Sequence, residues 1–283
     1  EIEDGRKFKQ NDKNKVLILI SIIFILLLSF AYSHEEDFQE DARINEYLKS
    51  SSLNFLLIAS FITIILVFLS LHSKEKSEEI KWLLFLGIAI PIVASTAYLA
   101  YSTIYLNIVS ETQGPVHWHA DYEIWVCGKQ IELVKPKGLT NRIGSPLFHD
   151  HGDNRIHVEG VVADTRNVDL HSFFETVGGD LDGDILKIPT ENEVVKVKNG
   201  GLCNGEEAKL QAFVYKVINP DNAKSWLFEQ EKVGNFPEYI LSPYSNVPPG
   251  DCIIIEFGPE REKTGHICAT YEAAMQRGEL VGS

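Results

Sequence analysis

Long apolar runs dominate the N-terminal third of the chain. Residues 16–32 and 54–72 contain no charged side chain, and a third run extends over 82–108 with an expected kink at Pro91. Each run is close to the roughly 17–25 residues that a helix needs to cross about 30 Å of hydrocarbon. The pattern therefore predicts a membrane anchor at residues 16–108 with three transmembrane helices.

Lysine and arginine are unevenly placed around these runs. The tail 1–15 carries five of them and the loop after residue 73 carries three, whereas the loop between the first two runs has only Arg43 and Lys49. Positive-inside bias then predicts that residues 1–15 form a cytoplasmic tail and that 109–283 form an extracytoplasmic domain of a multi-pass cell-membrane protein. Ala31-Tyr32-Ser33 resembles a signal-peptide cleavage site, and cleavage there would leave two helices with the same orientation.

From residue 115 the pattern changes to short β-rich runs separated by Gly, Pro, Asn and Asp. Alternating large residues predict a hairpin over 121–133, turning at Gly128-Lys129. Residues 170–177 predict a short helix that ends at Gly178-Gly179. The remaining predicted strands are 155–162, 184–188, 209–218 and 252–257.

The segment 220–249 is rich in Pro and Asn. It predicts a loop with one or two helical turns around 223–231. The expected fold class is therefore α+β, with N-terminal transmembrane helices followed by a β-rich extracytoplasmic domain for which a β-grasp is one candidate topology.

The formal charge of −14 is concentrated in the C-terminal part, where residues 109–283 hold 16 Lys and Arg against 27 Asp and Glu. Such a domain repels phosphate backbones, so nucleic acid is not an expected partner, and the lipid bilayer is. The four cysteines all lie in this part: Cys127, Cys203, Cys252 and Cys268. In an oxidising compartment they allow two disulfides in three connectivities, and four buried free thiols are the alternative.

Histidine is concentrated in one stretch of the predicted domain, where six of the nine histidines fall between residues 117 and 171. Two of them form His117-Trp118-His119 and two form His149-Asp150-His151, with His157 shortly after. Residues i and i+2 of a strand point to the same side, so each pair can present two imidazoles to one ion. We predict a transition-metal site with the ligands His117, His119, His149, His151 and His157.

Ring nitrogens that face away from a metal usually need an acceptor, and the nearby carboxylates of Asp121, Asp150, Asp153 and Glu159 are candidates for that role. His171 and His266 are expected to be ordinary surface or core histidines.

The motifs GPVHWHADYEIWVCGKQIEL, HDHGDNRIHVEG, LHSFFETVGG and GDCIIIEFG carry a resemblance over roughly residues 115–258. The chain resembles uncharacterised membrane-anchored archaeal proteins, similar to those of ammonia-oxidising archaea, with a histidine-rich extracytoplasmic domain. That group has no settled activity, so the resemblance implies a domain type and little chemistry. Cys127 stands where the pattern normally has Asn before Gly-Lys, which leaves open whether it is structural, a ligand or half of a disulfide.

These features favour a membrane-tethered protein that binds or hands on a transition metal, copper in preference to zinc, outside the cytoplasm. One alternative is an accessory structural subunit of a membrane protein complex. Another is a metalloenzyme of unknown substrate, with Glu159, Asp150 or Asp121 as general base. No catalytic motif is present, so a non-enzymatic role is favoured.

Overall fold

The computed structural model describes residues 42–72, 77–139, 141–222, 225–241 and 250–282. The chain divides into two compact units, Glu1–Leu106 and Asn107–Ser283. The predicted tail 1–15 and the first predicted span 16–32 lie outside the described residues.

Two long helices, α1 (Ala42–His72) and α2 (Glu78–Val109), contain the second and third predicted spans. By length and composition, Ser50–His72 and Glu78–Val109 are sufficient to cross a membrane. The helices approach closely at Gly87, where an added Cβ would lie 2.9 Å from Leu66 Cδ1. Small residues at such contacts are typical of helix pairs in membranes.

Three threonine hydroxyls in these helices bond within their own helix. Thr63, Thr96 and Thr103 each donate to the carbonyl oxygen four residues earlier. This pattern gives each hydroxyl group a hydrogen-bond partner without water. Most of the large apolar side chains, such as Phe61, Phe68, Trp82 and Ile108, are exposed on the helix pair.

The second unit is built on a nine-stranded mixed sheet with two small accessory sheets. The strands of the main sheet are β1 (Pro115–Val126), β2 (Lys129–Ile131), β3 (Ile143–Gly144), β4 (Phe148–Asp150), β5 (Arg155–Val161), β11 (Lys209–Val217), β12 (Trp226–Val233), β13 (Asp251–Gly258) and β14 (Leu280–Gly282). The accessory strands are β6 (Asp180–Leu181), β7 (Ile185–Pro189) and β8 (Val194–Lys198) in one sheet, and β9 (Leu202–Cys203) and β10 (Glu206–Glu207) in the other.

The main sheet runs in the order β14-β12-β11-β13-β1-β5-β4-β3, and β2 pairs with β1. Its pairs are antiparallel except β1 with β13 and β12 with β14. The predicted strands 155–162, 184–188, 209–218 and 252–257 and the short helix α3 (Leu170–Thr176) lie within one or two residues of their expected bounds. The strand β1 begins six residues before the predicted hairpin. Apolar helices followed by a β-rich unit with a mixed sheet agree with the α+β class, and the β-grasp topology stays a prediction.

The main sheet has a separate apolar core on each face. On the first face, alternate residues of the central strands pack against α3 and β7, and Phe173, Phe174 and Ile188 are fully buried there. On the second face, the C-terminal helix α4 (Ala269–Gln276) covers β11 and β13, with Tyr271 fully buried among Phe213 and Ile254. We call this region of the second face the covered half.

The expected helical turns around 223–231 are wrong for the described part of that segment, because Trp226–Val233 forms the strand β12. Its Glu, Gln and Lys residues favour helix locally, but in a run of eight residues strand pairing can outweigh this preference. Here β12 pairs with β11 over Phe228 to Val233 and with β14 at Trp226 to Phe228.

The predicted hairpin turns one residue earlier than expected, at Cys127-Gly128, with Val126 opposite Lys129. Both turn residues have positive φ, 51° at Cys127 and 78° at Gly128. A two-residue hairpin loop of this kind favours Asn-Gly. Cys127 takes the Asn position, and its disulfide to Cys203 ties the turn to β9.

Candidate metal centre

Three neighbouring strands bring distant histidines into one row. In the pairing of β1 with β5, His119 lies opposite His157 and His117 lies opposite Glu159. In the pairing of β5 with β4, His149 lies opposite the same His157. Opposed residues of adjacent strands share a face of the sheet, so all these side chains lie on the second face.

The alternation of these strands explains how histidines can line a folded sheet. The residues next to these histidines in sequence point to the first face and are buried in its core. They are Ala120, Phe148, Ile156 and Val158. The apolar residues therefore fix the register, and a one-residue slip would bury the imidazoles in that core. We call the part of the second face on β1, β5 and β4 the histidine half.

The five predicted ligands form two groups that share His157. One group is His117, His119 and His157, and the other is His149, His151 and His157. Within each group, one ring nitrogen of every residue lies within 4.8 Å of the others. His157 is the common member because β5 lies between β1 and β4.

Ring contacts follow the same division. The ring of His157 lies 4.7 Å from that of His119 and 6.4 Å from that of His117, between centroids. On its other side, it lies 5.3 Å from the ring of His149 and 4.8 Å from that of His151. His157 therefore occupies the centre of the cluster.

The inner imidazoles are buried without hydrogen-bond partners. His149 is 1% exposed and His157 is 9% exposed. Both nitrogens of His157 and Nδ1 of His149 are buried, and no hydrogen-bond partner for them occurs among the described residues. Buried polar atoms are nearly always paired in folded proteins, so three unpaired nitrogens in one cluster make these rings candidates to hold a metal ion.

Burial also keeps these rings in the form that binds metals. It lowers the pKa of His157 to about 4, with a further contribution from the nearby His119. Burial is likewise the main cause of the lowered pKa of His119 and of His149. A neutral imidazole has a free lone pair at neutral pH and needs no proton release before it binds one ion.

The carboxylate of Glu159 reaches both groups. Its Oε1 lies 3.0 Å from His117 Nε2, and its Oε2 lies 4.0 Å from His149 Nε2. Asp153, another of the predicted carboxylates, has Oδ2 3.9 Å from His157 Nε2. It lies four residues before His157 in the sequence.

The two other predicted carboxylates are engaged elsewhere. Asp121 accepts from Arg155 Nε at 2.6 Å and also from Thr270 Oγ1. It therefore lies at the border between the histidine half and helix α4. Asp150 points to the opposite side from His149, where its Oδ2 accepts from the Tyr122 hydroxyl at 2.7 Å and its Oδ1 from the Gly152 amide.

The cluster opens to solvent at one end. The His117 side chain is 61% exposed, whereas His149 and His157 are buried. His151 lies beyond the end of β4 and is fixed by a hydrogen bond between its Nδ1 and the Asn141 carbonyl oxygen at 2.5 Å. An ion held here would have buried ligands below it and an open approach above it.

The two other histidines of the β-rich unit lie outside the cluster. His171 begins α3, and its Nδ1 lies 2.8 Å from the Leu181 carbonyl oxygen. The ring of His266 stacks on that of Trp125 at 3.6 Å between centroids. Neither residue belongs to a group that could hold a metal, in the part of the chain that the structure describes.

All four cysteines are in disulfides, which selects one of the three connectivities. Cys127 pairs with Cys203, and Cys252 pairs with Cys268. The second bond joins the start of β13 to the residue that precedes α4. Thiolate is therefore not available as a ligand, and the site consists of imidazole and carboxylate groups.

No protein-family model, curated protein sequence or solved structure matches this chain. The histidine cluster and the two apolar helices are therefore the features from which a function can be inferred.

Proposed function

We propose that this protein is a membrane-tethered, extracytoplasmic protein that binds and hands on a transition-metal ion, Cu²⁺ in preference to Zn²⁺. The observation that carries the proposal is the set of buried, unpaired nitrogens on His149 and His157 in a five-histidine cluster. Metal binding could offset the burial of these two imidazoles, whereas as packing residues they cost stability.

The donor set supports copper(II). Imidazole and carboxylate bind divalent first-row ions in the order that places Cu²⁺ above Zn²⁺. The soft donors that favour Cu⁺ do not contribute, since the cysteines are oxidised and the single methionine, Met275, packs in the core of the covered half.

Exposure supports transfer of the ion over a closed structural role. His117 is open to solvent at the mouth of the cluster, and Glu159 beside it can meet an arriving cation first. A structural metal site is usually closed by four protein ligands, whereas exchange needs an accessible position. The excess of acidic residues in the β-rich unit also attracts cations.

The disulfides and the helices support the placement. Disulfides persist in oxidising compartments and are rare in the cytosol. Two helices are long and apolar enough to span a membrane, and the distribution of Lys and Arg favours an external C-terminal unit. Protease added to intact cells is expected to cleave the C-terminal unit, and full protection there would contradict the placement.

Metal analysis of the full chain in detergent tests the binding. After loading with Cu²⁺ or Zn²⁺ and removal of excess ion, we expect stoichiometric metal in the wild-type protein and a tighter hold on Cu²⁺ when both ions compete. A His149→Ala/His157→Ala variant is expected to retain at least tenfold less. His171→Ala is the matched control, since it removes a histidine of the same unit and should retain the full amount.

The proposal fails if the wild-type chain, verified as folded, binds no stoichiometric transition metal. It also fails if the His171→Ala control loses metal to the same extent as the cluster variant.

A further inference from the structure

We infer that the histidine cluster is built for two divalent ions side by side, with His157 as the ligand that they share. The inference rests on the proposed function, since it requires that the cluster bind transition metals at all. It adds the number of ions and the residue that couples them.

Strand spacing separates the two histidine pairs. Neighbouring strands lie about 4.8 Å apart, so β1 and β4, on either side of β5, are roughly 10 Å apart. Nitrogens that bind one ion with bonds of about 2.0–2.1 Å lie no more than about 4.2 Å apart. Each pair has nitrogens within 4.8 Å of His157, but the two pairs do not fall into one such group among the described residues. Each pair can instead meet an ion on its own side of His157, in keeping with the two separate groups of nitrogens.

His157 has the chemistry that a shared position needs. Both of its ring nitrogens are buried, and neither has a hydrogen-bond partner among the described residues. One ion would engage one nitrogen and leave the other buried and unpaired. Two ions would engage both.

The step that adds the second ion is balanced by one proton. The neutral ring carries one N–H, so the second metal–nitrogen bond forms as that N–H bond breaks and the proton passes to solvent. No electron is transferred, and both ions stay divalent. The product is an imidazolate ring between two ions.

Carboxylates offset the repulsion between the ions. Glu159 places one oxygen near His117 in the first group and the other near His149 in the second. Asp153 lies beside His157 Nε2. Both carboxylates project from β5 or from the turn that leads into it, close to the shared ring.

Titration of the full chain in detergent with Cu²⁺ alone tests the inference. We expect two copper ions per chain and an electron paramagnetic resonance signal well below that of the total copper, because spins joined through one imidazolate couple to each other. Binding of no copper overturns the proposed function itself. Binding of one copper leaves that function standing and overturns the shared ligand.

Paired variants locate the two positions. His117→Ala/His119→Ala and His149→Ala/His151→Ala are each expected to bind one copper with full signal intensity. His157→Leu is expected to abolish the coupling, while the control His171→Ala keeps two coupled ions. Circular dichroism verifies that each variant is folded.

Two results overturn the inference after two ions have been counted. One is a wild-type signal equal to the total copper, which would mean two independent sites. The other is loss of both ions in either paired variant, which would mean one joint centre.

Discussion

The covered half and the histidine half lie on the same face of one sheet, yet they are built in opposite ways. In the covered half, α4 buries apolar side chains, and the Cys252–Cys268 disulfide joins this helix to β13. In the histidine half, the equivalent positions of β1, β5 and β4 carry imidazoles with unpaired nitrogens. The difference indicates that the first region stabilises the fold and that the second carries the function at a cost in stability.

The strongest test of this comparison removes the anchor of the covered half. Tyr271 is fully buried, and its hydroxyl lies 2.9 Å from the Tyr215 carbonyl oxygen and 2.7 Å from that of Gly250. Tyr271→Ala is expected to lower the free energy of unfolding by about 3–5 kcal/mol, because it leaves a large cavity. Equilibrium denaturation of the full chain in detergent measures this loss.

The copper content of folded Tyr271→Ala protein should match that of the wild type. A fall in copper content that follows the fall in stability would mean that the two halves do not act separately.

A smaller effect is expected from the disulfide of the covered half. Cys252 and Cys268 are 16 residues apart. On the chain-entropy account, Cys252→Ala/Cys268→Ala should cost about 3 kcal/mol of unfolding free energy. The matched variant Cys127→Ala/Cys203→Ala opens a loop with a separation of 76 residues and should cost more on the same account. The reverse order in denaturation experiments would show that strain or packing outweighs loop entropy.

The smallest expected change in unfolding free energy is a gain in stability. His157→Leu replaces a buried ring that lacks partners with an apolar side chain of similar size. It should raise the unfolding free energy of the metal-free protein by about 1 kcal/mol. In the covered half, Ile254→Val should lower that free energy by about 1 kcal/mol, because it removes a buried methylene. Thermal or chemical denaturation in the presence of a chelator compares the two.

A clear loss of stability in metal-free His157→Leu would contradict the comparison. The histidine would then be a packing residue, and the two halves would differ in composition alone.

Part of the histidine half was predictable because the spacing of its histidines is visible within a few residues of sequence. The H-x-H spacing predicted that His117 and His119 share a face. The pairing of β5 with β1 and with β4 could not be predicted, since no short-range feature states which strands become neighbours. The shared position of His157 follows from that pairing.

Distant contacts overturned one expectation and gave the side chains of another different hydrogen-bond partners. Helical turns were expected where β12 forms, because its charged residues favour helix until β11 and β14 pair with it. Asp121 and Asp150 were expected to support the histidines because they are close in sequence. In the structure Asp121 accepts from Arg155 and Thr270, and Asp150 accepts from Tyr122, because each side chain is held by a partner on another element.

The parallel pairing of β1 with β13 has a consequence for how the protein is made. Ala120 lies beside Asp251, so the strand that carries His117 and His119 gains this neighbour only after most of the chain has been synthesised. Such non-local contacts form slowly. During synthesis β1 therefore has its antiparallel partner β5 early, but it stays an edge strand on its other side until β13 has been made.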